Sequence, residues 1–152
     1  MSSQAHNPKG FFPAYPAQAK TQRMPVAASQ TLARGDAIII SSNQVAIALA
    51  NSAEIAGVIA QASVSAAAGT MVEVWNDPDQ VFIGRANAGN AIAAGATCDI
   101  IGATGAMELD ENATSTNVAK IVELLDDTEV STAAGKRYKF KWNLHAFADT
   151  ST

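Results

Sequence analysis

The stretch Gly69-Thr-Met-Val-Glu-Val-Trp75, followed by Asn76-Asp-Pro-Asp79 and then Val81-Phe-Ile-Gly-Arg85, decides the fold class. A glycine turn feeds a short β-branched run, a turn rich in Asp and Pro follows, and a second short run comes after it. Two such runs across a turn of this chemistry predict a β-hairpin. The flanking sequence repeats the pattern in short apolar runs, small residues and Gly/Asn/Asp punctuation. The chain therefore reads as a mainly β unit.

Working upstream, Ala37-Ile-Ile-Ile40 is a strand apolar on both faces, and Ser41-Ser-Asn-Gln44 is a turn. Val45, Ile47 and Leu49 alternate with alanine, so 37–50 is a second hairpin. Ile55-Ala-Gly-Val-Ile-Ala60 is a further strand, with a glycine marking a bulge or a close backbone approach. A helix competes over 52–62, because Ala is the best helix former and Ile55, Val58, Ile59 and Ala62 fit helical spacing. The β-branched runs bounded by turn residues favour strands.

Downstream, turns are expected at 87–90 and strands at 96–101, 106–110 and 118–125. A polar loop is expected at 111–117, and 126–135 forms the return. The clearest element is 136–143. Tyr138, Phe140, Trp142 and then Leu144 fall on one side, and Arg137, Lys139, Lys141 and Asn143 on the other. A period of two predicts a strand with one buried and one wet face, paired antiparallel with 118–125.

Residues 1–26 differ from the rest. They hold Pro8, Pro13, Pro16 and Pro25, four of the five prolines in the chain. Proline removes an amide donor and biases its predecessor toward extended backbone, so a helix or central strand is not expected there. Yet Phe11, Phe12 and Tyr15 sit there, and disordered tails are poor in aromatics. Either the segment folds back over its own domain, or it is an extended arm whose aromatics anchor in a neighbouring subunit. The organisation expected is an extended Pro-rich arm over 1–26 and a domain over 27–152, with Phe11, Phe12 and Tyr15 as the contact residues.

Of 152 residues, 48% are apolar, but only 6% are aromatic and 16% charged, so the core uses small and β-branched residues. A weakly charged surface packs well against other protein. The net charge of -4 argues against a general nucleic-acid binder, which needs a basic surface to displace counterions. No apolar run is long enough for a membrane helix. The first residues lack a basic region followed by an apolar core, so no secretory signal is expected. The single cysteine, Cys98, is read as a small buried hydrophobe.

The residues of catalysis are sparse. Only His6 and His145 could serve as an imidazole base. There is no nucleophile elbow, no phosphate loop and no dinucleotide fingerprint. Cys/His spacing for zinc is absent. Asp77, Asp79, Asp110, Glu111, Asp126 and Asp127 fall in expected turns, where carboxylates ordinarily cap backbone amides rather than bind calcium. The stripe Arg137, Lys139 and Lys141 either touches an acidic partner or guards a half-exposed strand against aggregation. No enzyme activity, cofactor or metal is expected.

Three phrases carry a resemblance: Leu32-Ala-Arg-Gly-Asp36 before Ala37-Ile-Ile-Ile40, then Ile55-Ala-Gly-Val-Ile-Ala60, then Ala66-Ala-Ala-Gly69 with Met71-Val-Glu-Val74. The combination resembles the decoration, or cement, proteins of tailed-phage capsids, with a similar Ala-rich sequence in lambda-like head decoration proteins. The likeness spans about a third of the chain. It implies a small antiparallel β-barrel or β-sandwich, β-tulip-like, forming homotrimers. It implies a structural protein made in the host cytoplasm that binds the major capsid protein on the outer capsid surface and clamps neighbouring coat subunits. The other class considered is a non-catalytic β-sandwich module of a virion appendage that recognises a carbohydrate or receptor. Exposed Trp75 and Trp142 would favour that class.

Overall fold

The β-branched runs become short strands. The structure, a computed structural model, describes residues 9–27, 30–50, 52, 54–61, 64–87, 93–110, 113–125 and 136–145. The strands are β1 (Phe12–Pro13), β2 (Gln22–Pro25), β3 (Gln30–Leu32), β4 (Ala37–Ser41), β5 (Gln44–Ile47), β6 (Gly57–Ile59) and β7 (Val64–Ala66). They continue with β8 (Met71–Trp75), β9 (Phe82–Arg85), β10 (Thr97–Ile101), β11 (Glu108–Asp110), β12 (Ala119–Leu124) and β13 (Arg137–Trp142). Among the described residues the only helical turn is a 3-10 turn at Pro16–Gln18. The turns expected at 87–90 and 126–135 lie largely or wholly outside the described residues.

The strands form two main antiparallel sheets. One has the order β1-β9-β13-β12-β10-β11, the other β2-β8-β6-β4-β5, and β3 pairs with β7 beside them. Neither order closes by a continuous ladder. Single parallel bridges join Ala86, just past β9, to Leu109 of β11 in the first sheet, and Val26, just past β2, to Val45 of β5 in the second.

The chain crosses between these sheets at the stretch first read as a hairpin. β8 pairs with β2 and β6, whereas β9 pairs with β1 and β13, so the two runs do not pair with each other. The turn chemistry is as expected: Asp77 accepts the Asp79 amide at 2.9 Å, and the Gln80 amide bonds the Asp77 carbonyl at 3.1 Å. The pairing differs because each run has two better edges to fill. Trp75 and Phe82 still meet, edge to face at 6.4 Å, across the gap between sheets.

The 37–50 hairpin forms as β4 and β5, with Ser42 and Asn43 both at positive φ as a two-residue primed turn requires. The described residues of 52–62 do not adopt the helical alternative, and β6 lies between β4 and β8. Gly57 is there for close approach: a Cβ on it would lie 2.6 Å from the Trp75 carbonyl oxygen. β12 pairs antiparallel with β13 as the alternation predicts, through a register shift between Ile121 and Glu123. Tyr138, Phe140 and Trp142 are buried. Leu144, expected on the same face, is instead 41% exposed, because the strand ends at Trp142 and the Asn143 amide turns to the Val118 carbonyl.

β4 is apolar on both sides because it separates two cores. Ala37 joins the cluster inside the six-stranded sheet, which includes Phe11, Phe82, Ile100, Ile121, Tyr138, Phe140 and Trp142. Ile38 joins the other, with Val26, Leu32, Val45, Ile59, Val72 and Val74.

The described part of the proline-rich segment is not a detached arm. Phe11 is fully buried, packing edge to face on Phe140 at 5.3 Å and on Trp142 at 5.5 Å. The Gly10 amide donates to the Met107 carbonyl and the Phe11 amide to the Gly35 carbonyl. β1 and β2 occupy the edges of the two sheets, the positions where Pro13 and Pro25 cost no ladder bond. Neither is a central strand, which the prolines argue against, and an edge strand tolerates them.

Candidate interaction face

Antiparallel register decides which side chains share a face, since residues directly opposite point the same way. In the six-stranded sheet Tyr138, Phe140 and Trp142 go inward. Outward go Arg137, Lys139 and Lys141, and register adds their neighbours. Arg137 lies opposite Arg85, Lys139 opposite Ile83 and Glu123, and Lys141 opposite Lys120. Phe12 lies opposite Ile83 on the far side. Five of the chain's ten basic residues therefore share one sheet face.

Part of this face is internally matched. Lys139 Nζ forms an ion pair with Glu123 at 3.2 Å, donates to the Tyr15 hydroxyl at 3.3 Å and sits 5.1 Å from the Tyr15 ring. The hydrogen bond to Tyr15, then that to Glu123, raises the Lys139 pKa above the ordinary lysine value. Arg85 Nε pairs with Glu108 at 2.8 Å. Beside them a cavity of about 150 Å³ opens, lined by Gly10, Phe12, Ile83, Gly84, Arg85 and Arg137. Its floor is apolar, and its rim carries two guanidinium side chains.

The three aromatics singled out in the sequence separate. Phe11 is core. Phe12 lines the cavity, and Tyr15 is 45% exposed and rests against Lys139. Phe12 and Tyr15 thus border the basic face, while Phe11 holds their segment down. Arg85 and Lys120 were missed in the sequence as members of this face. Alternation within 81–85 puts Ile83 and Arg85 on one side, but only the register joins that side to Arg137 and Lys139.

The buried polar groups serve the scaffold. Asp36 is fully buried and accepts the amides of Ala33 at 2.7 Å and Gly105 at 2.8 Å, tying two turns together. Burial raises its pKa, against the lowering effect of those two donors. Asp99 accepts the amides of Ser115, Thr116 and Asn117 at 2.8–3.0 Å. Burial pushes its pKa up, but the combined hydrogen bonds outweigh that and the net shift is downward. His145 is buried where it bridges Ile55; burial lowers its pKa, and Asp77 and Asp79 oppose that. Cys98 is buried, as expected of a small hydrophobe. Among the described residues no cluster of three or more His, Cys, Asp or Glu could hold a metal. His6, Glu111, Asp126 and Asp127 lie outside the described residues.

Trp75 is 6% exposed and Trp142 is 3% exposed, so neither offers the surface platform on which a sugar would stack. No family model matches the chain, and no curated protein matches it.

Proposed function

We propose that this chain is a structural virion protein that binds the outside of a tailed-phage capsid and stabilises the shell by clamping neighbouring coat subunits. In this reading the two sheets with their bridged ends form a β-tulip-like body. The working unit is a homotrimer, assembled in the host cytoplasm and seated on the major capsid protein.

The observation that carries the reading is the segregation of charge. An acidic chain with few charges gathers half its basic residues on one sheet face, edged by Phe12 and Tyr15. A basic sheet face with a few aromatic anchors at its edge suits lateral packing against other protein, where a small number of buried aromatics dominate binding. The Ala-Gly-Val phrases of the resemblance fall on β4, β6 and β8 of the five-stranded sheet, leaving the other sheet's outer face available for contact.

Incubation of the purified chain with expanded, undecorated phage shells, followed by sedimentation, tests this. Stoichiometric recovery with the shells, and a trimer by equilibrium sedimentation of the free chain, are expected. A chain that stays in the supernatant, monomeric at every concentration, overturns the proposal.

A further inference from the structure

The register of the six-stranded sheet contains a feature that folding alone does not favour. Lys120 lies directly opposite Lys141, and Arg85 directly opposite Arg137. Like charges in directly opposed positions destabilise a strand pair. Lys120 and Lys141 are both exposed, and among the described residues no carboxylate pairs with either. Between the two like-charge pairs sits Lys139, matched to Glu123 and Tyr15. Glu108 matches Arg85 as Glu123 matches Lys139, so the positive charge that no described carboxylate matches lies at the Lys120–Lys141 end of β13, and the Phe12 cavity lies at the Arg85–Arg137 end.

We infer that this face is the seat of an extended, acidic polypeptide segment of a partner protein. Its carboxylates lie over the Lys120–Lys141 pair at one end of β13, and one apolar side chain enters the cavity beside Phe12 at the other. The inference rests on the capsid reading only in supplying the chemistry of the coat contact. Charge complementarity and an apolar cavity select this occupant together. Alternate side chains of an extended segment repeat at about 6.6 Å, the repeat of Arg137, Lys139 and Lys141 along β13. A nucleic-acid duplex offers no apolar side chain for the cavity. Its long footprint would also overlap the remainder of a chain whose net charge is -4.

The test uses the full chain and three labelled probes read by fluorescence anisotropy. These are a short peptide of alternating glutamate and valine, its glutamine counterpart, and a short DNA duplex. The glutamate peptide is expected to bind, with an affinity that falls as salt rises, and the other two to bind at least about tenfold more weakly. Lys141→Glu is expected to weaken the glutamate peptide about tenfold. The same substitution is expected to raise the melting temperature, because it turns a like-charge pair into an opposite one. Lys120→Gln, which removes one charge without reversing it, is expected to move both readouts the same way by less. Binding untouched by Lys141→Glu, or a duplex held as tightly as the peptide, overturns the inference. If the peptide binds through this face but shells do not retain the chain, the capsid reading fails and the acidic-segment seat stands. If shells retain the chain and its Lys141→Glu variant equally, and the glutamate peptide binds both equally or neither, the seat fails and the capsid reading stands.

Discussion

Asp36 and Asp99 are both carboxylates taken out of water, and their donors send them in opposite directions. Asp99 receives three backbone amides, so its folded pKa lies below the ordinary value. Its stabilisation is present above the ordinary carboxylate pKa and is lost as pH falls through the lower folded value. Asp36 has fewer donors for a fuller burial, and its pKa is raised. Its contribution has the opposite sign: it is greatest in acid and is lost as pH rises through the raised folded value. His145, with its pKa lowered by burial, supports the fold above the ordinary histidine pKa of about 6.5 and weakens it as pH falls below that. Asp99→Ala leaves three amides of the 115–117 turn seeking partners and should cost about 1–3 kcal/mol near neutral pH. Urea unfolding at stepped pH values should show that cost shrinking in strong acid, where Asp99 is protonated in wild type too. A cost independent of pH would mean that the carboxylate charge does not hold the turn.

At the scale of elements, strands whose facing is set locally were legible, and strands whose partners are set globally were not. The alternation in β13 gave its buried and wet faces, and the turn at Ser41–Gln44 gave the β4–β5 hairpin. A local pattern carries no information about which of several similar edges a run will choose, and so the sequence pattern suggests a β8–β9 hairpin whereas the fold places the two strands in different sheets. The basic face was half visible for the same reason: Arg137, Lys139 and Lys141 show in one strand, whereas Arg85 and Lys120 join them only through register. Facing in β13 has an energetic consequence. Trp142→Ala removes a buried ring in contact with Phe11, Phe82 and Phe140 and should cost about 3–5 kcal/mol. Lys139→Ala, whose ion pair to the exposed Glu123 is screened by solvent, should cost far less. Chemical denaturation of both variants checks the assignment, and equal losses would contradict it.

At the scale of the whole molecule, the N-terminal strands belong to the domain they precede. Deleting residues 1–22 removes Phe11 from between Phe140 and Trp142 and strips β1 from the edge of its sheet. The loss should be at least the roughly 3–5 kcal/mol of a buried phenylalanine, a large share of the 5–15 kcal/mol typical of a domain. Thermal unfolding of the truncated chain should show a markedly lower midpoint, and an unchanged midpoint would restore the picture of a separable arm. The composition showed that aromatics in the segment needed burial; prolines obscured where, because the rule against proline in strands relaxes at an edge. The placement of Phe11 also bears on how the protein is made. β9 lies between β1 and β13, so a sheet whose first strand is synthesised early cannot be completed until the last one exists. Phe11 meets its ring partners only after residues 140 and 142 have left the ribosome. Pairings so distant along the chain fold slowly. Until then the early strands expose their apolar faces, and nascent chains stalled before residue 137 should remain protease-sensitive, becoming resistant only once β13 has emerged.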